Sequence, residues 1–357
     1  MSSAPHHLVT LGVGAALAAA CLWGLRVHRR RRATRCSRVA AGKIEREMAA
    51  FDTAMAAAQL CARGYWVVDG FLGAAVAAAV RDNIGMLDAA GHLRLGKLQH
   101  GTRQSTNQET RSDRIAFLPS AQSKANAKGT VPVPEGSVLH EYIRAVDELR
   151  ARLSSQQRLT ELVGGSLDDC NFMCAIYPGA GARYVKHRDA LPYKAGRKLT
   201  VIYYLNQGWA PGHGGELAIW PSDAPDGPPE RVEPRADRLV LFVSSLEHEV
   251  LPAWRPRFAL TTWMFNRRDT ALELLAEDMR QRKSAGKMDT RALLAALDAD
   301  SSDDDDANVG ANHGADRTAA PRTDEEEEDE GAEVDKATAM AVMLQLLRKK
   351  QERAAAA

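Results

Sequence analysis

Between residues 171 and 265 the chain repeats one pattern: a short apolar or β-branched run, then a turn rich in glycine and proline. The runs are 171–177, 183–187, 199–205, 216–220, 238–243, 247–251 and 257–265. Segments this short suit strands better than helices. The breakers between them include Pro178-Gly179-Ala180-Gly181, Pro211-Gly212-His213-Gly214-Gly215 and Pro225-Asp226-Gly227-Pro228-Pro229. Short strands at this density predict an all-β sandwich or jelly roll.

The chain before this region is mainly helical. Residues 41–63 read as one alanine-rich helix, followed by a strand at Gly64-Tyr65-Trp66-Val67-Val68. Val76, Val80, Ile84 and Leu87 recur at helical spacing. Residues 95–110 are polar and read as a loop, 114–118 as a short strand and 119–136 as a connection. Leu139, Tyr142, Ile143, Val146, Leu149 and Leu153 form the apolar stripe of an amphipathic, core-facing helix. Helices first and strands afterwards give the expected class: mostly β with flanking helices.

Both ends differ from this middle. Residues 8–25 form an uncharged run of 18 residues, followed by Arg26 and Arg29 to Arg32. The run is just long enough for a membrane-spanning helix, and the trailing arginines predict that the folded domain beyond it faces the cytosol. A transit peptide for mitochondrion or plastid, or a signal for the endoplasmic reticulum, are the rival readings. Asp303 to Asp306 and Asp324 to Glu330 are acidic runs of the kind that stay disordered, read either as a solubilising tail or as one that docks a basic protein partner. Met340, Met343, Leu344 and Leu347 mark a last helix, read either as a weakly ordered tail or as a docking helix for a partner. The expected division is a targeting or anchor segment over 1–40, the folded domain over 41–270, a helical extension over 271–297, an acidic linker over 298–335 and a helix over 336–357. The five cysteines lack C-x-x-C spacing, so Cys170 and Cys174 are expected as buried free thiols rather than as part of a disulfide framework.

The chemistry is carried by His187, Asp189 and His248. His187 and Asp189 form an H-x-D pair, and residues i and i+2 of a strand face one side. His248 lies in a separate expected strand. Two imidazoles and a carboxylate on one side of a metal, with open positions opposite, form the facial triad of non-haem iron(II) oxygenases. The same ligand types also serve catalytic zinc, but zinc chemistry does not explain Arg257. An arginine there is a fixed planar cation suited to the carboxylate of an acidic co-substrate.

These motifs resemble the 2-oxoglutarate- and iron(II)-dependent prolyl hydroxylases, above all the cytosolic oxygen-sensing type that modifies hypoxia-inducible factor. The matching blocks are Tyr177-Pro178-Gly179, Tyr184-Val185-Lys186-His187-Arg188-Asp189, Ile202-Tyr203-Tyr204-Leu205-Asn206, Gly214-Gly215-Glu216-Leu217, Asp237-Arg238-Leu239, His248-Glu249-Val250 and Arg257-Phe258-Ala259-Leu260-Thr261. Weaker similarity reaches 64–72 and Arg111-Ser112-Asp113. The resemblance implies a double-stranded β-helix, the cupin-like jelly roll, buttressed by N-terminal helices. It implies iron(II) on His187, Asp189 and His248, with 2-oxoglutarate and dioxygen as co-substrates and ascorbate as reductant. Arg257 and Tyr204 would take the far carboxylate of 2-oxoglutarate, and Tyr177 would lie near its chelating end. Ile202, Leu217 and Thr261 would line its pocket, with Met173 and Trp263 closing the walls. Arg111 and Asp113 would lie near the substrate-binding loop, with Trp263 also on the substrate side.

The implied activity is hydroxylation of a peptidyl proline in a protein substrate. A sister oxygenase acting on another side chain or on nucleic acid, and a membrane-tethered non-catalytic adaptor, are the alternatives. No basic groove with interleaved aromatics is evident in the β region, so no nucleic acid is expected. The stretch from Asp189 to Tyr204 is one residue longer than the familiar form, and 117–137 diverges, so substrate identity is not inherited.

Overall fold

Strand residues that read as uniformly apolar in sequence divide between two cores. The structure, a computed structural model, describes residues 38–100, 103–120, 129–190 and 196–270. The first strands are β1 (Tyr65–Asp69), β2 (Arg94–Leu95), β3 (Leu98–His100), β4 (Arg103–Ser105) and β5 (Arg114–Leu118). Then come β6 (Asp169–Tyr177), β7 (Ala182–His187), β8 (Arg197–Tyr204) and β9 (Leu217–Ile219). The last are β10 (Glu230–Val232), β11 (Arg238–Val243), β12 (His248–Ala253) and β13 (Arg257–Phe265). A seven-stranded sheet runs β1-β11-β8-β13-β6-β5-β2, and a four-stranded sheet runs β10-β9-β12-β7. Each pair of neighbouring strands is antiparallel. Two facing antiparallel sheets of this kind form a double-stranded β-helix.

The period of two sorts the large sheet's side chains. Phe172, Cys174 and Ile176 of β6, Leu199, Val201 and Tyr203 of β8, and Leu260 and Met264 of β13 join one core. Met173, Ala175 and Tyr177, Ile202 and Tyr204, and Ala259 and Trp263 join the other. A sheet buried on both faces needs continuous apolar runs. The second core also contains Leu217, Ile219 and Val250 of the small sheet, so it fills the space between the sheets.

Helices cover the other face of the large sheet. They are α1 (38–50), α2 (Thr53–Arg63), α3 (Ala74–Ala89), α4 (Val138–Ser154) and α5 (Gln157–Val163). Ile44, Leu60, Val80, Ile84, Tyr142 and Leu149 join the strand side chains in the first core. Such side chains contribute roughly 1.5–3 kcal/mol each on full burial. Cys170 and Cys174 are buried and free.

Several expectations change. The single helix expected over 41–63 is two. Asp52 interrupts it and caps α2, its carboxylate accepting from the Met55 amide at 2.8 Å. The loop expected over 95–110 contains the β3–β4 hairpin. Strand β10 and helix α5 were not foreseen; β10 is only three residues long and follows directly on a Gly-Pro-Pro turn.

The expectation of a single-pass membrane protein is corrected. Among the described residues no helix is long and apolar enough to cross a membrane. The longest described helix, α4, has 17 residues and carries Arg144, Asp147 and Arg150, whereas a span needs about 20 mostly apolar residues. The run at 8–25 itself lies outside the described residues. So do the segments expected over 271–297, 298–335 and 336–357, with their acidic runs and last helix.

Candidate functional site

Strands β7 and β12 pair so that His187 and His248 are direct partners. Asp189 follows two residues after the end of β7. The three side chains offer ligand atoms within 4.8 Å of one another, a group able to hold a metal ion. His187 Nε2 lies 3.9 Å from Asp189 Oδ1, and His248 Nε2 lies 3.7 Å from Asp189 Oδ2.

Each imidazole is fixed from behind. His187 Nδ1 donates to the Val185 carbonyl at 2.7 Å, and His248 Nδ1 donates to the Leu246 carbonyl at 3.0 Å. Those bonds select the tautomer with a lone pair on Nε2, the atom facing Asp189. Burial, and then the neighbouring His248 imidazole, push His187 well below the usual imidazole range. Burial pushes the Asp189 carboxyl up, but His248, His187 and Arg197 outweigh it and hold it below its ordinary value. The result is neutral imidazole beside ionised carboxylate, the donor set a divalent cation needs.

Tyr184 stacks on His187 with ring centroids 3.7 Å apart. They are three positions apart, so a regular strand would put them on opposite faces. The pairing shows why they meet: His248 opposes His187, but Val250 opposes Tyr184, so β7 carries an extra residue. That bulge re-aims the side chains next to the cluster. Arg111 lies over the other ring, 4.6 Å from the Tyr184 centroid. It forms a two-point ion pair with Asp113 at 2.6 and 2.9 Å. The expected pair thus exists, with Asp113 0% exposed and Arg111 half-buried. A side chain at Gly96 would collide with both residues.

Arg257 opens β13 and is 1% exposed. Its Nε donates to the Gly215 carbonyl at 2.8 Å. Gly215 has φ +71°, and a Cβ there would press on the Arg257 stem at 3.0 Å. The guanidinium lies 4.8 Å from the Tyr177 ring and 4.9 Å from the Tyr204 ring. Its Nη2 and the Tyr204 hydroxyl are buried without a hydrogen-bond partner among the described residues. Burial raises the Tyr204 phenol, and the Arg257 charge opposes that rise. Burial also raises Tyr177. Two orphaned polar atoms, one on a fixed cation, fit an incoming carboxylate.

Register links this end to the cluster. Along the inner face of β13, Arg257 faces Tyr177, Ala259 faces Tyr204, Thr261 faces Ile202 and Met173, and Trp263 faces Thr200. Thr200 in turn donates to Asp189 Oδ2 at 2.9 Å. Leu217 belongs to the same core from the small sheet. Sequence reasoning missed Tyr184, Thr200 and Arg197, which lies 4.2 Å over the Trp263 ring. Only the position of Tyr184 inside the H-x-D block could have drawn notice.

Comparison with known proteins gives a consistent result. A family profile described as the 2OG-Fe(II) oxygenase superfamily matches residues 172–265. The hypoxia-inducible factor prolyl hydroxylase of Caenorhabditis elegans is 35% identical over 216 residues, 58% of this chain and 28% of that protein. Prolyl hydroxylase EGLN3 of Homo sapiens is 32% identical over 220 residues, 58% of this chain and 81% of that protein. This chain therefore spans under a third of the worm relative's length and most of the human one's. A prolyl hydroxylase from Trichoplax adhaerens was solved with a peptide fragment of the hypoxia inducible factor oxygen degradation domain. It is 29% identical with a TM-score of 0.52, covering 62% of this chain and 91% of that one.

Proposed function

The chain belongs to the prolyl hydroxylase family of 2-oxoglutarate- and iron(II)-dependent oxygenases, and from that premise we propose that it hydroxylates a proline in a protein substrate. The observation that carries this reading is Arg257: a buried cation with an orphaned donor, in the same fold as a His–Asp–His cluster. A hydrolytic metal centre would have no use for it. That the Trichoplax relative was solved with a peptide supports a protein substrate.

When bound, iron(II) with 2-oxoglutarate and dioxygen supplies the oxidation, in which a substrate C–H becomes C–OH while 2-oxoglutarate becomes succinate and carbon dioxide. His187, Asp189 and His248 hold the metal, their orientation preset by the Val185 and Leu246 carbonyls and by Thr200. Arg257 and Tyr204 receive the far carboxylate of the co-substrate, and Tyr177 borders its chelating end. Ile202, Leu217 and Thr261 exclude water from it, and burial strengthens each of these polar contacts. Met173 and Trp263 close the pocket, with Trp263 also facing the substrate. Arg111 and Asp113, through Tyr184, border the side on which the peptide enters. Ascorbate is the expected reductant for iron oxidised in turnover without substrate.

The test is succinate release by the purified protein with iron(II), 2-oxoglutarate and a panel of proline-containing peptides, read by mass spectrometry. A gain of one oxygen on proline, lost in His187→Ala, is expected. Turnover of 2-oxoglutarate with no such gain would keep the oxygenase and sink the proline assignment.

A further inference from the structure

Behind the His–Asp–His cluster lie two buried hydroxyls that the reaction does not consume. Thr200 Oγ1 donates to Asp189 Oδ2 at 2.9 Å, and Ser244 Oγ lies 2.9 Å from Thr200 Oγ1. Both residues are 0% exposed. A hydroxyl has one proton to give. The proton of Thr200 goes to the carboxylate, which as an anion can only accept, so Ser244 donates to Thr200. The bonds therefore run one way, from Ser244 through Thr200 to Asp189, and bonds aligned in this way reinforce one another.

Ser244 is also tied through its backbone. The Ala190 amide donates to the Ser244 carbonyl at 2.8 Å, and the Ser244 amide donates to the Lys198 carbonyl at 3.1 Å. Ala190 is the neighbour of Asp189, and Lys198 lies on β8 with Thr200. Ser244 itself follows β11 and opens the turn that leads to His248. One residue thus joins the segment bearing Asp189, the strand bearing Thr200 and the turn that delivers the second histidine.

Building on the oxygenase reading, we propose that Thr200 and Ser244 are positioning residues for the metal centre: they hold the Asp189 carboxylate in one rotation, with Oδ2 engaged by Thr200 and the other oxygen left for the ion. The pair acts through Asp189 and touches no substrate. Its loss lets the carboxylate turn and leaves a buried acceptor unpaired.

The experiment uses the full-length protein and Co(II) as a spectroscopic probe, with titration calorimetry and visible absorption on wild type, Thr200→Val, Thr200→Ser and Ser244→Ala. Thr200→Val is expected to weaken Co(II) binding by about 10–100-fold and to alter the visible spectrum. Thr200→Ser should restore both, because it returns the donor. Ser244→Ala should alter the spectrum in the same sense by less. Wild-type affinity and spectrum in Thr200→Val would overturn the proposal, even if its melting temperature fell. Should Thr200→Val fail to fold, an unchanged spectrum in Ser244→Ala overturns it instead. A wild-type protein that binds no Co(II) would sink the oxygenase reading itself, a distinct failure.

Discussion

Tyr204 separates two roles that a buried residue usually blends. Its hydroxyl has no partner among the described residues, although the ring is fully buried. An unsatisfied buried hydroxyl costs about 1–3 kcal/mol. Removing it in Tyr204→Phe should leave the ligand-free protein as stable as wild type or stabilise it by up to about 1 kcal/mol. The same change should raise the KM for 2-oxoglutarate by roughly tenfold, the worth of about 1.4 kcal/mol. Urea unfolding and steady-state kinetics read the two effects separately, and a loss of stability equal to the loss of affinity would contradict this account. At this scale the sequence is legible where chemistry demands unusual residues. His187, Asp189, His248 and Arg257 stand out because a buried strand has little other use for them. Thr200 and Ser244 do not, because hydroxyl side chains are ordinary in strands and turns. Tyr184 is hidden for another reason: only the extra residue in β7 brings it onto the His187 ring.

Between β8 and β11 one residue secures an element. Asp237 has φ +64°, a conformation uncommon for side chains other than glycine. Its carboxylate accepts from the Leu72 amide at 2.7 Å, the Gly73 amide at 2.8 Å and the Tyr203 hydroxyl at 2.8 Å. It thereby ties the start of α3 to the large sheet. Asp237→Ala would orphan two buried donors and one half-buried donor, so a loss of about 2–4 kcal/mol is expected in urea unfolding. Asp237→Asn should lose less, since an amide oxygen still accepts. Element boundaries were legible where the apolar period was strong: β11 and β13 occupy 238–243 and 257–265, as the sequence suggests. They were not legible where capping decides. The period through 41–63 is continuous, and only the Asp52 carboxylate on the Met55 amide breaks it. The β3–β4 hairpin lies in a polar stretch whose strands, three residues each, carry too few side chains to show a period.

Across the whole molecule, metal and stability are linked. The cluster joins β7 to β12, so an ion bound there favours the folded chain over the unfolded one. At a hundredfold excess over Kd the gain is about 2.7 kcal/mol. For a domain of this size that should raise Tm by roughly 5–10 °C. Differential scanning fluorimetry with Co(II), then with a chelator, checks this. The shift should vanish in His187→Ala and in His248→Ala, and a shift that persisted in both would mean that the ion binds elsewhere. The sequence conveyed a β core with helices beside it, through its short apolar runs and the helical stripes that precede them. It misled on the membrane because an apolar run followed by arginines is a local signal, and no described helix supplies a span.

The two ends of the proposed co-substrate site belong to different layers. His187 and His248 are on the four-stranded sheet, whereas Arg257 starts a strand of the seven-stranded one. A small dicarboxylate reaching from the metal to Arg257 would act as a rivet between the layers. The two sheets meet through side chains of the core between them, and among the described residues no strand of one is a hydrogen-bonded neighbour of a strand of the other. Occupancy would then brace one layer against the other, and the co-substrate would serve as a mechanical part of the fold as well as a reagent.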